Sequence, residues 1–171
     1  YEDKSVGMDR LIEACRADFV GYEDVLRLIN KVPKFGNDDD YVDDIVQRLL
    51  ELLDAPIEGC RMVFGGKPTV AAAIVTGNVP LGALLPAQPD GRRAGTPLAE
   101  GGLSPHQGRN VSGVTATLKS VGKLDHLKLR HGSVLNLRFD PDTVKTEEKM
   151  LKLSQLVRVF FALGGFLVQF N

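Results

Sequence analysis

The stretch from Pro86 to Gly108 reads PAQPDGRRAGTPLAEGGLSPHQG and separates two apolar runs. Its prolines lack the backbone N–H and its glycines lose the most freedom on ordering, so neither a helix nor a strand runs through it. A connection beyond about 12 to 15 residues without secondary structure of its own is uncommon, and is usually either disordered or functional. Any fold assigned to this chain has to accommodate it. Asp90-Gly91 is a turn pair, Arg92 and Arg93 can clamp carbonyls or carboxylates, and the glycines permit close backbone approach.

The remainder can supply a core for such a segment. Of 171 residues, 43% are hydrophobic and 25% charged, the balance of a globular protein rather than a disordered one. A single domain is the expectation at this length. The 21 Lys and Arg nearly cancel the 22 Asp and Glu, leaving no global basic field to gather nucleic acid or anionic lipid, and neither partner is expected. Cys15 and Cys60 are too few and too far apart for a disulfide framework or a multi-cysteine metal site, which fits a reducing, cytoplasmic setting. No signal peptide opens the chain, and its most apolar run, Val159 to Val168, is about half of what a membrane-spanning helix requires. The chain closes on Phe166-Leu-Val-Gln-Phe-Asn171, a strand-like segment that wants neighbours on both sides, so a piece of something larger is expected.

Met8, Leu11, Ile12, Cys15 and Phe19 recur at spacings of three and four, which predicts a helix over 5–19. Gly21 breaks it, and Val25, Leu26, Leu28 and Ile29 mark a second helix that Pro33 ends. Tyr41, Val42, Ile45, Leu49, Leu50 and Leu53 mark a third, with Asn37 or Asp38 as its N-cap and carboxylates favoured in its first turn by the helix dipole. A calcium loop would need alternating ligands, a central glycine and a distal glutamate, a pattern that is absent. Val70–Val75 reads as a strand buried on both faces. Thr115–Val121 is ambiguous between helix and strand, and a short helix begun after Ser112-Gly113 is preferred. Ser133–Phe139 reads as a strand and Thr146–Leu163 as a helix closed by Gly164-Gly165 before the last strand. This order is the grammar of an α/β protein with parallel strands, the helix over 146–163 making the right-handed crossover between the last two.

Several familiar site patterns fail. Gly65-Gly66-Lys67 has Arg61 where a P-loop needs glycine, and Pro68 where a hydroxyl would hold magnesium. Gly102-Leu-Ser-Pro-His106 has His106 at the second glycine of a nucleophile elbow. His106, His126 and His131 have no spacing that sets two on one helical turn, so no metal site is expected.

Read in order, PKFGNDDDYVD over 33–43, PDGRRAGTPLAEG over 89–101, Ser104-Pro105, Gly113-Val-Thr-Ala116 and Lys119-Ser-Val-Gly-Lys-Leu124 resemble the glycyl radical enzymes. Leu135-Asn-Leu-Arg-Phe139 and Gly164-Gly-Phe-Leu-Val-Gln-Phe-Asn171 continue the resemblance over nearly the whole chain. It is closest to the branch with glycerol dehydratase, choline lyase, arylacetate decarboxylase and benzylsuccinate synthase relatives. Val114 stands where relatives often have proline. The resemblance implies a late portion of a ten-stranded α/β barrel, which this stretch cannot close alone. It implies an oxygen-sensitive lyase or dehydratase that cleaves C–O, C–N or C–C bonds, or adds a carbon radical to an alkene, with a formate C-acetyltransferase type as an alternative. The implied partners are a small-molecule substrate, a second copy in a homodimer, and an S-adenosylmethionine-dependent activating enzyme that installs a glycyl radical. No bound cofactor is implied, and the setting is an anaerobic cytoplasm.

The family's radical glycine lies in an Arg-Val-x-Gly-Tyr context, whereas Arg158-Val159 is followed by Phe160-Phe161, so the C-terminal radical region is expected to be absent from residues 1–171. The cysteine that receives the radical is followed two residues on by glutamate in many relatives. Cys60 has Met62 there and Cys15 has Ala17, so both are read as structural and no catalytic residue is assigned. Under the resemblance the opening stretch is an ordered barrel connection in which Asp90, Gly91 and Arg92 serve the fold, with Arg92 on internal acceptors and Arg93 towards solvent. Barrel interiors are lined by alternate strand residues, which makes Asn136, Gln169 and Asn171 the candidate substrate-facing positions. A noncatalytic barrel fragment or interaction module is the rival reading, favoured by the missing radical motif.

Overall fold

The strand–helix–strand unit near the C-terminus forms as its residue pattern requires. Strand β1 (Val134–Leu137) is followed by helix α6 (Glu147–Ala162) and strand β2 (Leu167–Phe170). The Thr146 hydroxyl accepts the Lys149 N–H at 3.3 Å to cap α6, and Glu147 and Glu148 complement its dipole. Gly164, at φ 98°, ends the helix and turns the chain into β2. The strands pair in parallel, with Leu135 opposite Val168 and Asn136 opposite Gln169.

The computed structural model describes residues 5–73 and 77–170. Ahead of β1 come α1 (Met8–Arg16), α2 (Glu23–Lys31), α3 (Asp40–Glu58), α4 (Asn78–Leu84) and α5 (Val114–Gly122). The chain divides into two compact units, one from Tyr1–Pro33 with Val75–Leu98, the other from Lys34–Ile74 with Ala99–Asn171. In the first, Ala14 of α1, Val25 and Ile29 of α2 and Phe19 between the two helices pack together with Ala87. In the second, Leu50 of α3 and Leu118 and Val121 of α5 meet Leu135, Leu137 and Phe160. No helix among the described residues is long and apolar enough to cross a membrane.

Several expectations need correction. Helix α1 stops at Arg16, because Asp18 and Phe19 take left-handed backbone at φ 49° and 60°, and Phe19 enters the core from that turn. The N-cap of α3 is Asp39, whose carboxylate accepts the Tyr41 N–H at 3.1 Å, rather than Asn37 or Asp38. The strand expected over 70–75 reduces to one parallel bridge, Ala72 to Ser133, with positions 74 and 75 outside the described residues. Helix α4 was hidden by Pro80, which sits in the first turn, where a missing N–H leaves no intrahelical bond unmade.

Candidate functional site

The long connection contributes its first half to one unit and its second to the other. In the first half, Asp90 accepts the Arg92 N–H at 2.9 Å and Gly91, at φ 91°, donates to the Gln88 carbonyl at 3.0 Å, which makes the turn. The turn delivers Arg92 to the interior, where it is 1% exposed. Its Nε donates to Gln88 Oε1 at 2.8 Å, Nη2 to the Pro86 carbonyl at 2.6 Å, and Nη1 to the carbonyls of Gly82, at 3.3 Å, and Thr96. Arg93, 40% exposed in its side chain, faces solvent more than Arg92 does but is also held in place. It donates to the Asp18 carbonyl and lies 5.6 Å from the centre of the Phe19 ring.

The strand pair carries the polar candidates. Leu135 and Leu137 are buried towards α5 and α6, so Asn136 between them faces the opposite side. Residues in register on parallel strands share a face, which sets Gln169 beside Asn136. Asn171 lies outside the described residues. A cleft of about 440 Å³ opens next to Asn136, lined in part by Glu100, Ser104, Gln107, Asn110 and Arg138. Arg138 pairs with Glu100 at 2.9 Å. Asn136 Oδ1 is buried without a hydrogen-bond partner among the described residues, an acceptor suited to a hydroxyl or amine hydrogen arriving from the cleft.

Sequence reasoning missed a charged cluster at the start of α3. The Lys123 ammonium meets Asp38 at 2.7 Å, Asp40 at 2.6 Å and Asp43 at 2.9 Å, with the Asp43 side chain 2% exposed. Burial opposes the ammonium, but the three carboxylates outweigh it and hold the Lys123 pKa above the usual lysine value. Hydrogen bonds from Lys123 and then Lys119 hold the Asp38 carboxyl below the usual aspartate range. These aspartates are the one group among the described residues that could converge on a metal ion, and a lysine already fills them. The signal was present in the spacing of Lys119 and Lys123, one helical turn apart.

The cysteines differ in setting. Burial and the Asp90 charge push the Cys15 thiol up, while Cys60 is exposed and donates to the Pro56 carbonyl at 3.3 Å. His126 is structural. Its Nε2 donates to the Val121 carbonyl at 2.9 Å, and Nδ1 meets the Ser133 hydroxyl at 2.7 Å.

Residues 1–82 match the family model described as pyruvate formate lyase-like, and residues 99–171 match that described as glycine radical. The chain belongs to the glycyl radical enzyme family. It is 39% identical over 172 residues to the trans-4-hydroxy-L-proline dehydratase of Clostridioides difficile, covering 100% of this chain and 22% of that protein. The isethionate sulfite-lyase of Desulfovibrio desulfuricans is 35% identical over 182 residues, covering 100% of this chain and 21% of the relative. Among solved structures, the glycerol-bound B12-independent glycerol dehydratase of Clostridium butyricum superposes with a TM-score of 0.92 at 35% identity, over 99% of this chain and 22% of that one. The chain therefore has the fold of one portion of a glycyl radical enzyme, about a fifth of the length of the curated relatives it matches.

Proposed function

We propose that residues 1–171 form part of the ten-stranded barrel domain of an oxygen-sensitive glycyl radical lyase or dehydratase, which cleaves C–O, C–N or C–C bonds of a small molecule or adds a carbon radical to an alkene. The radical would be placed on a glycine outside these residues by an S-adenosylmethionine-dependent activating enzyme, in a homodimer working in an anaerobic cytoplasm. The observation that carries this reading is the in-register pair Asn136 and Gln169 on the face of β1 and β2 turned away from the apolar core. In a closed barrel that face lines the lumen. Asn136 then binds a hydroxyl or amine of the substrate through Oδ1, and Asp90, Gly91 and Arg92 hold the connection that supports the wall.

The reading is tested on the intact protein, incubated without oxygen with an activating enzyme and S-adenosylmethionine. A glycyl radical doublet in electron paramagnetic resonance is expected, together with turnover of at least one of glycerol, trans-4-hydroxy-L-proline and isethionate. A silent spectrum would overturn this reading and favour a noncatalytic role.

A further inference from the structure

We propose that Ser104 is a positioning residue: its hydroxyl takes the place of a neighbouring strand along β1 and so fixes Asn136 towards the cleft. This rests on the reading of Asn136 as substrate-facing. Among the described residues, strand β1 has a paired strand, β2, on one edge only. On the other edge the backbone of Val134 is served by main chain, its N–H donating to the Ala72 carbonyl at 3.0 Å and its carbonyl accepting the Leu103 N–H at 3.0 Å. Asn136 is the next residue to face that edge, and there a side chain takes over. Its N–H donates to Ser104 Oγ at 3.0 Å, and its carbonyl accepts from the same hydroxyl at 3.3 Å. The Glu100 carbonyl, at 3.5 Å, is the more distant alternative acceptor.

A hydroxyl can both accept and donate, so one short side chain satisfies both backbone groups of a strand residue. Without it, an N–H and a C=O in a part-buried position would lose their partners. The preceding glycines are shaped to this contact. A Cβ at Gly101 would lie 2.0 Å from Ser104 Oγ, and one at Gly102 would lie 1.9 Å from the Ala72 carbonyl oxygen. The second half of the long connection thus serves as an edge strand whose last rung is a side chain. With the peptide groups on both sides of Asn136 pinned, its carboxamide projects from a fixed origin, and its buried Oδ1 meets an incoming donor at a set position.

The test is made on the intact protein with Ser104→Ala, Ser104→Cys and Gly101→Ala. Amide hydrogen exchange at Asn136 should accelerate at least tenfold in Ser104→Ala and by less in Ser104→Cys, while Val134, bonded to Ala72, keeps the wild-type rate. For whichever of the three named substrates the wild type turns over, KM should rise at least fivefold in Ser104→Ala with kcat changed less than twofold. Gly101→Ala, which keeps the hydroxyl but displaces it, should reproduce both effects. Unchanged exchange at Asn136 in Ser104→Ala overturns the proposal, as does a KM that rises in Asn136→Ala but not in Ser104→Ala. A KM unmoved by Asn136→Ala, with exchange altered as expected, refutes instead the assignment of Asn136 to the substrate.

Discussion

Two adjacent arginines show how little a dipeptide says about the fate of each residue. The Arg92 guanidinium donates to neutral oxygens, those of Pro86, Gln88 and Thr96 in its own connection and the Gly82 carbonyl of α4, a use that only a planar, multiply donating fork can fill. Replacing it with Lys should destabilise the intact protein by about 1 to 3 kcal/mol, the scale for stranding buried polar groups, as read from denaturant midpoints. Arg93 is 40% exposed in its side chain and holds Asp18 at 3.9 Å, so the same change there should cost less than about 1 kcal/mol. Equal losses would contradict this division. The cysteines give a second contrast. Iodoacetamide should label Cys60 faster than Cys15 at neutral pH, measured by mass spectrometry of partly alkylated protein, because Cys15 is half-buried and its thiol is pushed up. The chemistry of Arg92 was legible in the sequence because its glycine- and proline-rich setting leaves many carbonyls in need of donors. The contact of Arg93 with Asp18 was not, since it depends on a left-handed turn at Asp18 that no local pattern announces.

At the scale of elements, the attachment of α3 to α5 is electrostatic as well as apolar. Asp38 has a lowered pKa in the folded state, so its contribution is present above the unfolded carboxylate range and is lost as pH falls through the lowered folded value. Lys123→Met removes the larger part of that contribution and leaves Lys119 on Asp38. The stability gap between wild type and variant should therefore be widest near neutrality and shrink between about pH 5 and pH 2, followed by chemical denaturation at each pH. A gap that does not change with pH would assign the lysine to packing alone. The end of α6 offers a steric test. A Cβ at Gly165 would lie 2.3 Å from the Phe160 ring, which is fully buried, so Gly165→Ala should destabilise by about 1 to 3 kcal/mol in thermal melts. Strong apolar periodicity made α2, α3 and α6 readable in advance. The Val70–Val75 run was not readable as it stands, because a short apolar segment does not reveal how much of it meets a partner backbone. The aspartates over 38–43 were read as caps and solvated charges, since their cation arrives from α5, far along the chain.

Viewed whole, the molecule leaves much apolar surface uncovered. Phe64 is 100% exposed, Leu84 82% and Phe166 61%, more than an isolated domain of this size normally shows in large side chains. Expressed alone, residues 1–171 should bind a hydrophobic dye such as ANS strongly and give no glycyl radical doublet after treatment with an activating enzyme. Weak dye binding by the isolated stretch, or a doublet from it, would count against its place as part of a larger barrel. The family and the parallel α/β plan were legible because ordered motifs recur along nearly the entire sequence. The polar face shared by Asn136 and Gln169 was legible from strand alternation, whereas the part played by Ser104 required knowing that the connection returns to lie along β1. That return has a consequence in time. During synthesis Leu103 and Ser104 leave the ribosome before β1 does, and Leu167 leaves after it. The connection, with Ala72 beside it, is therefore already in place when β1 appears, and it shields one edge of the nascent strand from foreign chains until β2 emerges to cover the other.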